Sequence, residues 1–249
     1  MKLSIIVIEY HSLEDIACFI AHLQGQLSAA DYELIVSSNS CYDIPTQKEI
    51  QEKMPAVRWV FNERNGGFAY GMNRGLEKAC GDYLMIANPD MMLKSGLSEA
   101  ISFLEANPGV GALGPLIKNK EGVVQDSARD FMTVGSFFKR NSKRLLRKMG
   151  TPDYSSVQTV DWVIGACILM SRTAYRLTGG LDEHYFLYVE DMDLCTSIRK
   201  AGLKIVHYTP MEVEYEGTRS SLHSWKYTRI HLRSLWYYWK KFGFTRRIS

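Results

Sequence analysis

Residues 83–93 read YLMIANPDMML, an apolar stretch that Asn88-Pro89-Asp90 interrupts. Tyr83 to Ala87 has the apolar character of a core strand. Proline cannot donate a backbone hydrogen bond to a neighbouring strand, so the strand must end there. Open α/β sheets bind their ligands just beyond the carboxyl ends of their strands. The stretch therefore predicts a buried strand with a ligand-binding carboxylate, Asp90, at its end.

Strand and helix patterns alternate on both sides of this stretch. Strand patterns occur at 3–10, 32–40, 57–61, 109–117, 160–172 and 203–210, and helical patterns at 12–27, 46–54, 67–79, 95–106 and 190–202. This alternation predicts an α/β fold with a doubly wound, mostly parallel central sheet and right-handed crossovers. We expect loops over an active-site edge at 118–160 and divide the chain into a domain at 1–220 and a helical tail at 221–249.

The composition is that of a globular protein that does not span a membrane. Hydrophobic residues make up 46% of the 249 residues and charged residues 23%. The five cysteines form no CxxC pair, which argues against a zinc site or a disulfide framework and for a reducing, cytoplasmic compartment. The opening apolar stretch is too short for a signal peptide. The longest later one, 163–170, is far shorter than the roughly 20 residues that span a bilayer.

Positive charge is concentrated in two segments, although the net charge is only +3. The run 139–148 holds six Lys or Arg residues, and 217–249 holds eight with no Asp or Glu. In the tail we place Trp225, Leu232, Trp236 and Trp239 along one helix face, beside a stripe of Lys226, Arg229, Arg233 and Lys240. Such a helix suits peripheral contact with an anionic membrane, on the inner face of the cell membrane. A helix packed on the core with a solvated basic edge fits the pattern equally well.

Three motifs contain residue types that could carry chemistry. In 62–75, NERNGGFAYGMNRG, glycines before a helix could offer free amides to a diphosphate, or could serve close helix–sheet packing. Asp90 could bind a divalent cation, or simply cap a helix or fix a turn. In 185–195, YFLYVEDMDLC, aromatics lead into Glu190-Asp191 at a helix start. One carboxylate there could act as a general base, although capping with solvated acids is the simpler explanation.

The order of these motifs resembles a family 2 glycosyltransferase of the GT-A fold, close to the bacterial rhamnosyltransferase-like branch. The similarity covers roughly residues 3–220. It implies inverting transfer of a sugar, rhamnose as the leading choice, from a dTDP- or UDP-sugar to a hydroxyl of a glycan or lipid-linked acceptor in surface polysaccharide synthesis. It also implies Mg²⁺ or Mn²⁺ as the cofactor.

The resemblance assigns roles to particular residues. Asp191 matches the catalytic base, with Glu190 beside it facing the acceptor, and Asp90 matches the metal-binding aspartate after Asn88. The positions that match the donor site are Ile8, Glu9, Tyr10, Ser38, Asn65, Gly67, Phe68, Asn73, Asn88 and Asp90. Those that match the acceptor-side strand are Trp162, Gly165 and Ala166. We expect Asp90 and Asp191 to converge on a single cleft.

The sequence departs from the family pattern at three places. Glu9-Tyr10-His11 stands where many relatives have Asn-Tyr-Asn, and Ser38 replaces an acid that usually contacts the donor's base. The histidine that often completes the metal site is absent. By spacing from Pro210, Glu216 takes its place, with Glu214 as the alternative.

Other functions fit less well. A sugar nucleotidyltransferase normally has a glycine- and cation-containing loop after the first strand, and EYHSLED at 9–15 has neither. An inactive nucleotide-sugar-binding protein stays open because of Ser38 and Glu216. Nucleic-acid binding through the tail ranks last, since the tail has no recognised motif, and we expect no nucleic-acid partner.

Overall fold

The computed structural model describes residues 2–28, 30–129, 154–216 and 225–243. The basic run at 139–148 and the expected boundary near residue 220 lie outside these residues.

The described residues form eleven strands and seven helices. The strands are β1 (Leu3–Glu9), β2 (Tyr32–Ser38), β3 (Val57–Phe61), β4 (Tyr83–Ala87), β5 (Met92–Ser95), β6 (Val110–Lys118), β7 (Ala128–Arg129), β8 (Gln158–Val160), β9 (Trp162–Val163), β10 (Cys167–Ser171) and β11 (Lys204–Glu214). The helices are α1 (Leu13–Gln26), α2 (Ile44–Lys53), α3 (Phe68–Leu76), α4 (Leu97–Ala106), α5 (Arg172–Thr178), α6 (Glu190–Lys200) and α7 (Trp225–Phe242).

The central sheet is mixed and follows the order β3-β2-β1-β4-β10-β6-β11-β5, with β8 paired to β11. Its first four strands are parallel, and β11 runs parallel to β6. Strand β10 runs antiparallel between β4 and β6, and its first residue, Cys167, lies opposite Ala87. The residues just before β10 therefore lie at the carboxyl end of β4, beside the Asn-Pro-Asp motif.

Both faces of the sheet are covered, because successive side chains of its inner strands enter two separate hydrophobic layers. Ile6 and Ile86 pack in the layer that receives α3, α5, α6 and α7. Val7 and Met85 pack in the layer that receives α1 and α4. This two-sided burial explains why these strands are almost continuously apolar.

The structure differs from the sequence expectation around 160–172. This segment is not one strand: β9 pairs with β7 in a separate two-stranded sheet, residues 164–166 turn, and β10 enters the main sheet. The sequence patterns also missed β5. Only one of its four residues, Leu93, is buried, so it has no apolar signature.

Helix α7 packs on the core through one face and exposes the other. Its inward residues include Leu235, Tyr238 and Trp239, whereas Trp225 and Trp236 are exposed. The expectation that Trp239 lies on the same helix face as Trp225, Leu232 and Trp236 was therefore wrong. None of the helices in the described part of the chain is both long and apolar enough to cross a membrane.

Candidate active site

The Asn-Pro-Asp motif is fixed to neighbouring strands at the end of β4. The Asn88 backbone amide donates to the Ala166 carbonyl at 2.9 Å. Its side-chain amide donates to the Tyr215 hydroxyl at 3.1 Å, just beyond the end of β11. The motif is thus tied to the turn before β10 on one side and to residue 215 on the other.

The same turn also binds Asp191, in the first turn of α6. The Gly165 amide donates to Asp191 Oδ2 at 2.8 Å, and the Met192 amide donates to Asp191 Oδ1 at 2.7 Å. A Cβ atom at residue 165 would lie only 3.2 Å from the Asp191 Cβ atom, so glycine permits this close approach. Gly165 and Ala166, predicted on the acceptor-side strand, therefore connect the two acidic motifs.

The chain enters α6 through a strained backbone. Tyr188 and Val189 have φ angles of 68° and 76°, in the left-handed region that non-glycine residues rarely adopt. Two successive residues of this kind persist only where the surrounding structure holds them, and such residues cluster at functional sites. These two backbone conformations set the direction in which the chain enters α6, and so the position of Glu190 and Asp191.

Glu190 and Asp191 line a cavity of about 200 Å³. The cavity is large enough for a small polar group and is bordered by aromatic, apolar and cationic side chains. Its other lining residues are Arg129, Trp162, Ile164, Tyr188, Val189, Met192, His231 and Leu235. Of the acceptor-side residues predicted from sequence, Trp162 lies in this wall.

The two acids differ in their surroundings. Burial, followed by the neighbouring Asp191, raises the pKa of Glu190, and no residue in the described part of the chain forms a hydrogen bond with its Oε2 atom. Burial also raises the pKa of Asp191, but the amides of Gly165 and Met192 and the charge of Arg129 oppose that rise. Asp191 is therefore the acid whose charged form the site stabilises better.

Asp90 lines a second cavity, of about 250 Å³. Glu214, Tyr215, Glu216 and Lys120 border it on one side, and Asp15, Cys18, Phe19 and His22 of α1 border it on the other. The Asp90 side chain keeps an exposed surface, and partial desolvation, followed by the charge of Asp15, raises its pKa. Within the described part of the chain, no lysine or arginine forms an ion pair with Asp90.

A carboxylate without a paired cation, with a second acid in the same cavity, suits a hard divalent ion. Glu214 is paired with Lys94 at 2.9 Å, so Glu216 is the better candidate for the second ligand. The described residues contain no group of three His, Cys, Asp or Glu side chains that could hold a metal. Magnesium and manganese sites in which substrate phosphates and waters complete the shell need only one or two carboxylates. The residues present therefore fit such an ion.

The two cavities are neighbours, not one cleft. Tyr215 lines the Asp90 cavity, and its pKa is raised by burial and then by the charges of Asp90 and Tyr188. Tyr188 in turn lines the cavity of Asp191. The expected single cleft is therefore not found: Asp90 and Asp191 line two separate cavities, which the neighbouring Tyr215 and Tyr188 connect.

Glu9 and Ser38, both predicted to bind the donor, are buried and bonded to each other. They are directly opposite in the β1–β2 pair, and the Ser38 hydroxyl donates to Glu9 Oε2. Glu9 Oε1 also accepts from the Tyr42 hydroxyl at 3.1 Å and the Ser12 amide at 2.9 Å. These hydrogen bonds engage both carboxylate oxygens, so Glu9 stabilises the carboxyl ends of β1 and β2 from inside the fold. The adjacent Tyr10 is 52% exposed and Ile8 is partly exposed.

The glycine segment before α3 is locked to the loop that precedes α6. The Phe68 amide donates to the Phe186 carbonyl at 2.7 Å, and Asn65 accepts from the Gly67 amide at 3.0 Å. The buried Asn73 side chain donates to the Leu181 carbonyl at 2.8 Å and accepts from the Leu181 amide at 2.9 Å. The amides of residues 67 and 68 and the side chain of Asn73 are therefore occupied, which weakens the expectation that they hold phosphates.

Sequence reasoning missed several residues of the site. Arg129 belongs to the segment expected to form loops over an active-site edge, but no motif singled it out. His231 and Leu235 lie on the helix that was predicted as a separate tail. Their inward position follows from helix periodicity only once Leu235, Tyr238 and Trp239 are known to be buried.

In a comparison with known protein families, residues 4–176 match the model described as glycosyl transferase family 2. Among curated relatives, the N-acetylglucosaminyl-diphospho-decaprenol L-rhamnosyltransferase of Mycobacterium tuberculosis is 30% identical over 209 residues, which cover 76% of this chain and 67% of the relative. Rhamnosyltransferase WbbL of Escherichia coli is 27% identical, over 94% of this chain and 91% of the relative.

Solved glycosyltransferase structures share the fold. The mannosyltransferase PcManGT from Pyrobaculum calidifontis, in complex with GDP-Man and Mn²⁺, superposes with a TM-score of 0.63 at 18% identity, over 92% of this chain and 60% of its own. GalNAc-T7 with UDP, GalNAc and Mn²⁺ gives a TM-score of 0.64 at 14% identity, over 92% of this chain and 47% of its own. These similarities confirm the GT-A fold expected from the sequence.

Proposed function

The chain belongs to glycosyl transferase family 2, and we propose that it transfers a sugar, with inversion, from a nucleoside-diphosphate sugar to an acceptor hydroxyl. The observation that carries this proposal is the placement of Asp191. Its carboxylate starts a helix, accepts amides from Gly165 and Met192, and lines a cavity beside the end of β4.

In this mechanism Asp191 takes the proton of the acceptor hydroxyl as that oxygen bonds to the anomeric carbon. The bond between the anomeric carbon and the diphosphate breaks, and the diphosphate leaves with the electron pair. The partly exposed Tyr188 offers an aromatic side chain against which an acceptor sugar can pack. A general base of this kind typically contributes about 10²–10⁴ in rate.

The diphosphate side of the reaction would involve Asp90, Asn88 and Glu216. A Mg²⁺ or Mn²⁺ ion held by Asp90 and Glu216 would supply charge neutralisation for the leaving group. Asn88 positions the turn through its bonds to Ala166 and Tyr215. Among the other predicted donor-site residues, Tyr10 is exposed and Ile8, Asn65 and Phe68 are partly exposed, so all four remain accessible to a nucleotide.

The relatives support a choice of substrates. Both the mycobacterial and the Escherichia coli relative are named rhamnosyltransferases, and the former name includes a diphosphate-linked lipid acceptor. We propose dTDP-rhamnose as the donor, a UDP-sugar as the alternative, and a lipid-linked saccharide as the acceptor, in the synthesis of a surface polysaccharide.

The exposed side of helix α7 favours the proposal that the protein makes peripheral contact with a membrane. Its outer face exposes Trp225, Leu232 and Trp236, which are 82%, 48% and 61% accessible. The exposed cations between and beside them are Lys226, Arg229, Arg233 and Lys240. Apolar side chains among cations suit the interface of an anionic bilayer. The inner face of the same helix borders the Asp191 cavity through His231 and Leu235, so a lipid-linked acceptor would reach the site from this side.

A donor panel tests the proposed function. Melting temperatures are measured with dTDP-, UDP- and GDP-sugars in the presence of Mn²⁺, because a ligand that binds only the folded chain must raise the melting temperature. Release of nucleoside diphosphate is then followed with and without a lipid-linked acceptor. We expect stabilisation by dTDP-rhamnose and acceptor-dependent release. Stabilisation without any release would instead support an inactive nucleotide-sugar-binding protein.

A further inference from the structure

Glu190 and Asp191 are adjacent acids that receive very unequal hydrogen bonding. Asp191 accepts two backbone amides, from Gly165 at 2.8 Å and Met192 at 2.7 Å. Glu190 is 6% exposed and lines the same cavity, and no described residue forms a hydrogen bond with its Oε2 atom. Burying a carboxylate oxygen without a donor costs far more than burying a neutral, protonated carboxyl at the same place.

Arg129 is a cation fixed in the wall of this cavity. Asp126 anchors it, accepting from Nε at 2.8 Å and lying 2.8 Å from Nη2. The guanidinium lies over the Trp162 ring, 5.3 Å from its centre, and the two residues are paired in the β7–β9 ladder. These contacts fix the guanidinium in the cavity wall, paired with Asp126, and its charge opposes the rise in the pKa of Asp191.

Other ionisable groups of the described residues lie near the pair. Asp193, the next acid of α6, is neutralised by Lys241 of α7 at 2.8 Å and accepts from the Tyr185 hydroxyl. The remaining titratable groups that border the pair are Tyr188 of the preceding loop, His231 of α7 and the buried thiol of Cys195 on α6.

We propose that the two acids share one proton, that Glu190 carries it, and that Arg129 is the positioning residue that keeps the negative charge on Asp191. This inference rests on the proposed function. Two adjacent carboxylates in a poorly hydrated site cannot both ionise readily, and the one with fewer donors retains the proton. Pairs whose environments separate them in this way divide acid and base roles between them.

The division gives each acid a distinct task. Asp191, ionised, accepts the proton of the attacking hydroxyl. Glu190, neutral, presents an O–H that donates a hydrogen bond to another oxygen of the acceptor, and so fixes which hydroxyl faces Asp191. Burial and the charge of Asp191 both raise the pKa of Glu190, in the direction that this assignment requires.

Infrared spectroscopy tests the proton's position without any substrate. Difference spectra of the full chain at neutral pH, wild type minus Glu190→Gln and wild type minus Asp191→Asn, isolate the C=O stretch of a protonated carboxyl. We expect that band in the Glu190→Gln difference and not in the Asp191→Asn difference. A band in the Asp191→Asn difference alone, or in neither, would overturn the assignment. Because no transfer is measured, failure here leaves the proposed function standing.

The pH dependence of turnover tests Arg129. Removing the cation in Arg129→Gln should raise the pKa of Asp191 and move the acid limb of the kcat profile upward by at least about half a pH unit. Arg129→Lys keeps the charge and should leave the limb near its wild-type position. In Glu190→Gln the alkaline limb should disappear while the acid limb stays. A lower rate in Arg129→Gln with both limbs unmoved would show a merely structural arginine and contradict the proposal.

Discussion

Asp90 and Asp191 differ in what surrounds their carboxyl groups. Asp191 has two amide donors and a nearby arginine, so its negative charge is stabilised by the protein itself. Asp90 lies in a cavity with other acids and has no cation partner among the described residues, and partial desolvation raises its pKa. The first arrangement suits proton transfer, and the second suits a group that is completed by an incoming cation.

Asp90→Asn should weaken donor binding only when a divalent ion is present. The amide keeps the size of the side chain but removes the charge that a Mn²⁺ ion would bind. Calorimetry with dTDP should show the Mn²⁺-dependent affinity falling by about tenfold or more, the equivalent of about 1.4 kcal/mol. Asp15→Asn, on the opposite wall of the same cavity, is the matched control and should retain the Mn²⁺ effect. An undiminished Mn²⁺ effect in Asp90→Asn would remove this residue from the metal site.

Gly67 is required where the loop before α3 meets the loop before α6. Its φ angle is 91°, and an added Cβ atom would lie 2.2 Å from the Phe186 carbonyl oxygen. Gly67→Ala should therefore lower the free energy of unfolding by about 1–3 kcal/mol, from backbone strain and the clash. Gly25 is the matched control, because it lies in α1 with open space around it. Gly25→Ala should stabilise by roughly 0.5–1 kcal/mol in the same urea titration. Equal effects at both positions would contradict the packing described for residue 67.

At the scale of elements, α7 is attached to α6 by polar contacts as well as by packing. The Lys241 amine lies 2.8 Å from Asp193 and 2.7 Å from Asp182. The Thr196 and Tyr238 hydroxyls are 2.7 Å apart, and the Ser234 hydroxyl donates to the Leu187 carbonyl at 3.0 Å. The last of these contacts reaches the strained loop that leads into Glu190. Helix α7 thus packs against the start of α6 and stabilises it.

Lys241→Met should destabilise the protein in a pH-dependent way. The substitution leaves the buried Asp193 without its cation, and we expect a loss of about 2–4 kcal/mol at pH 7. Burial opposes ionisation of Asp182, but its bonds to Lys241 and His184 hold its pKa below the usual value. That contribution is present above the unfolded pKa of about 3.9 and is lost as pH falls through the folded pKa. Burial raises the pKa of Asp193, so the part of the gap that comes from Asp193 should narrow as pH falls through that raised pKa toward about 3.9. The part that comes from Asp182 should narrow below about pH 4, and denaturant titrations across both ranges measure the two parts.

A pH-independent gap would indicate that Lys241 contributes through its aliphatic stem alone. Lys240→Met is the matched control, since Lys240 is exposed on the outer face of the same helix, and it should change stability by less than about 0.5 kcal/mol.

Local patterns predicted the first half of the fold better than the second. The apolar runs of β1, β2 and β4 and the proline after β4 carry their own signals, so the parallel strands and the position of Asp90 could be inferred. The split of 160–172 at Gly165 depends on β9 pairing with β7, which is far away in sequence. The same pairing places Arg129 over Trp162, so no local pattern could identify that arginine. The structure gives the positions of the site residues, whereas their roles in catalysis and binding remain proposals.

On the scale of the whole molecule, α7 borders the Asp191 cavity with its inner side and is exposed on its outer side. The outer residues Trp225, Leu232 and Trp236 form the apolar part of that surface. Because the inner residues of the same helix border the cavity, membrane contact and acceptor access would share one side of the protein.

Replacing Trp225, Leu232 and Trp236 together by Ser should reduce flotation of the full chain with vesicles that contain anionic lipid. The apolar groups that would enter the interface are removed, while the cations remain to give weak, salt-sensitive binding. The matched control replaces Ile44 and Leu177, exposed apolar residues elsewhere on the surface, by Ser. Equal flotation of the two variants, or no flotation of the wild type, would show that α7 does not dock on a membrane.

The role of Asp191 as the base is tested most directly by measuring sugar transfer and donor binding on the same Asp191→Asn protein. We expect a folded variant that binds the donor with Mn²⁺ as wild type does, while its transfer rate falls by about 10²–10⁴. Asp31→Asn, an exposed acid at the start of β2, controls for the loss of one charge and should transfer normally. Transfer by Asp191→Asn at close to the wild-type rate would contradict the central claim that this carboxylate takes the proton from the acceptor.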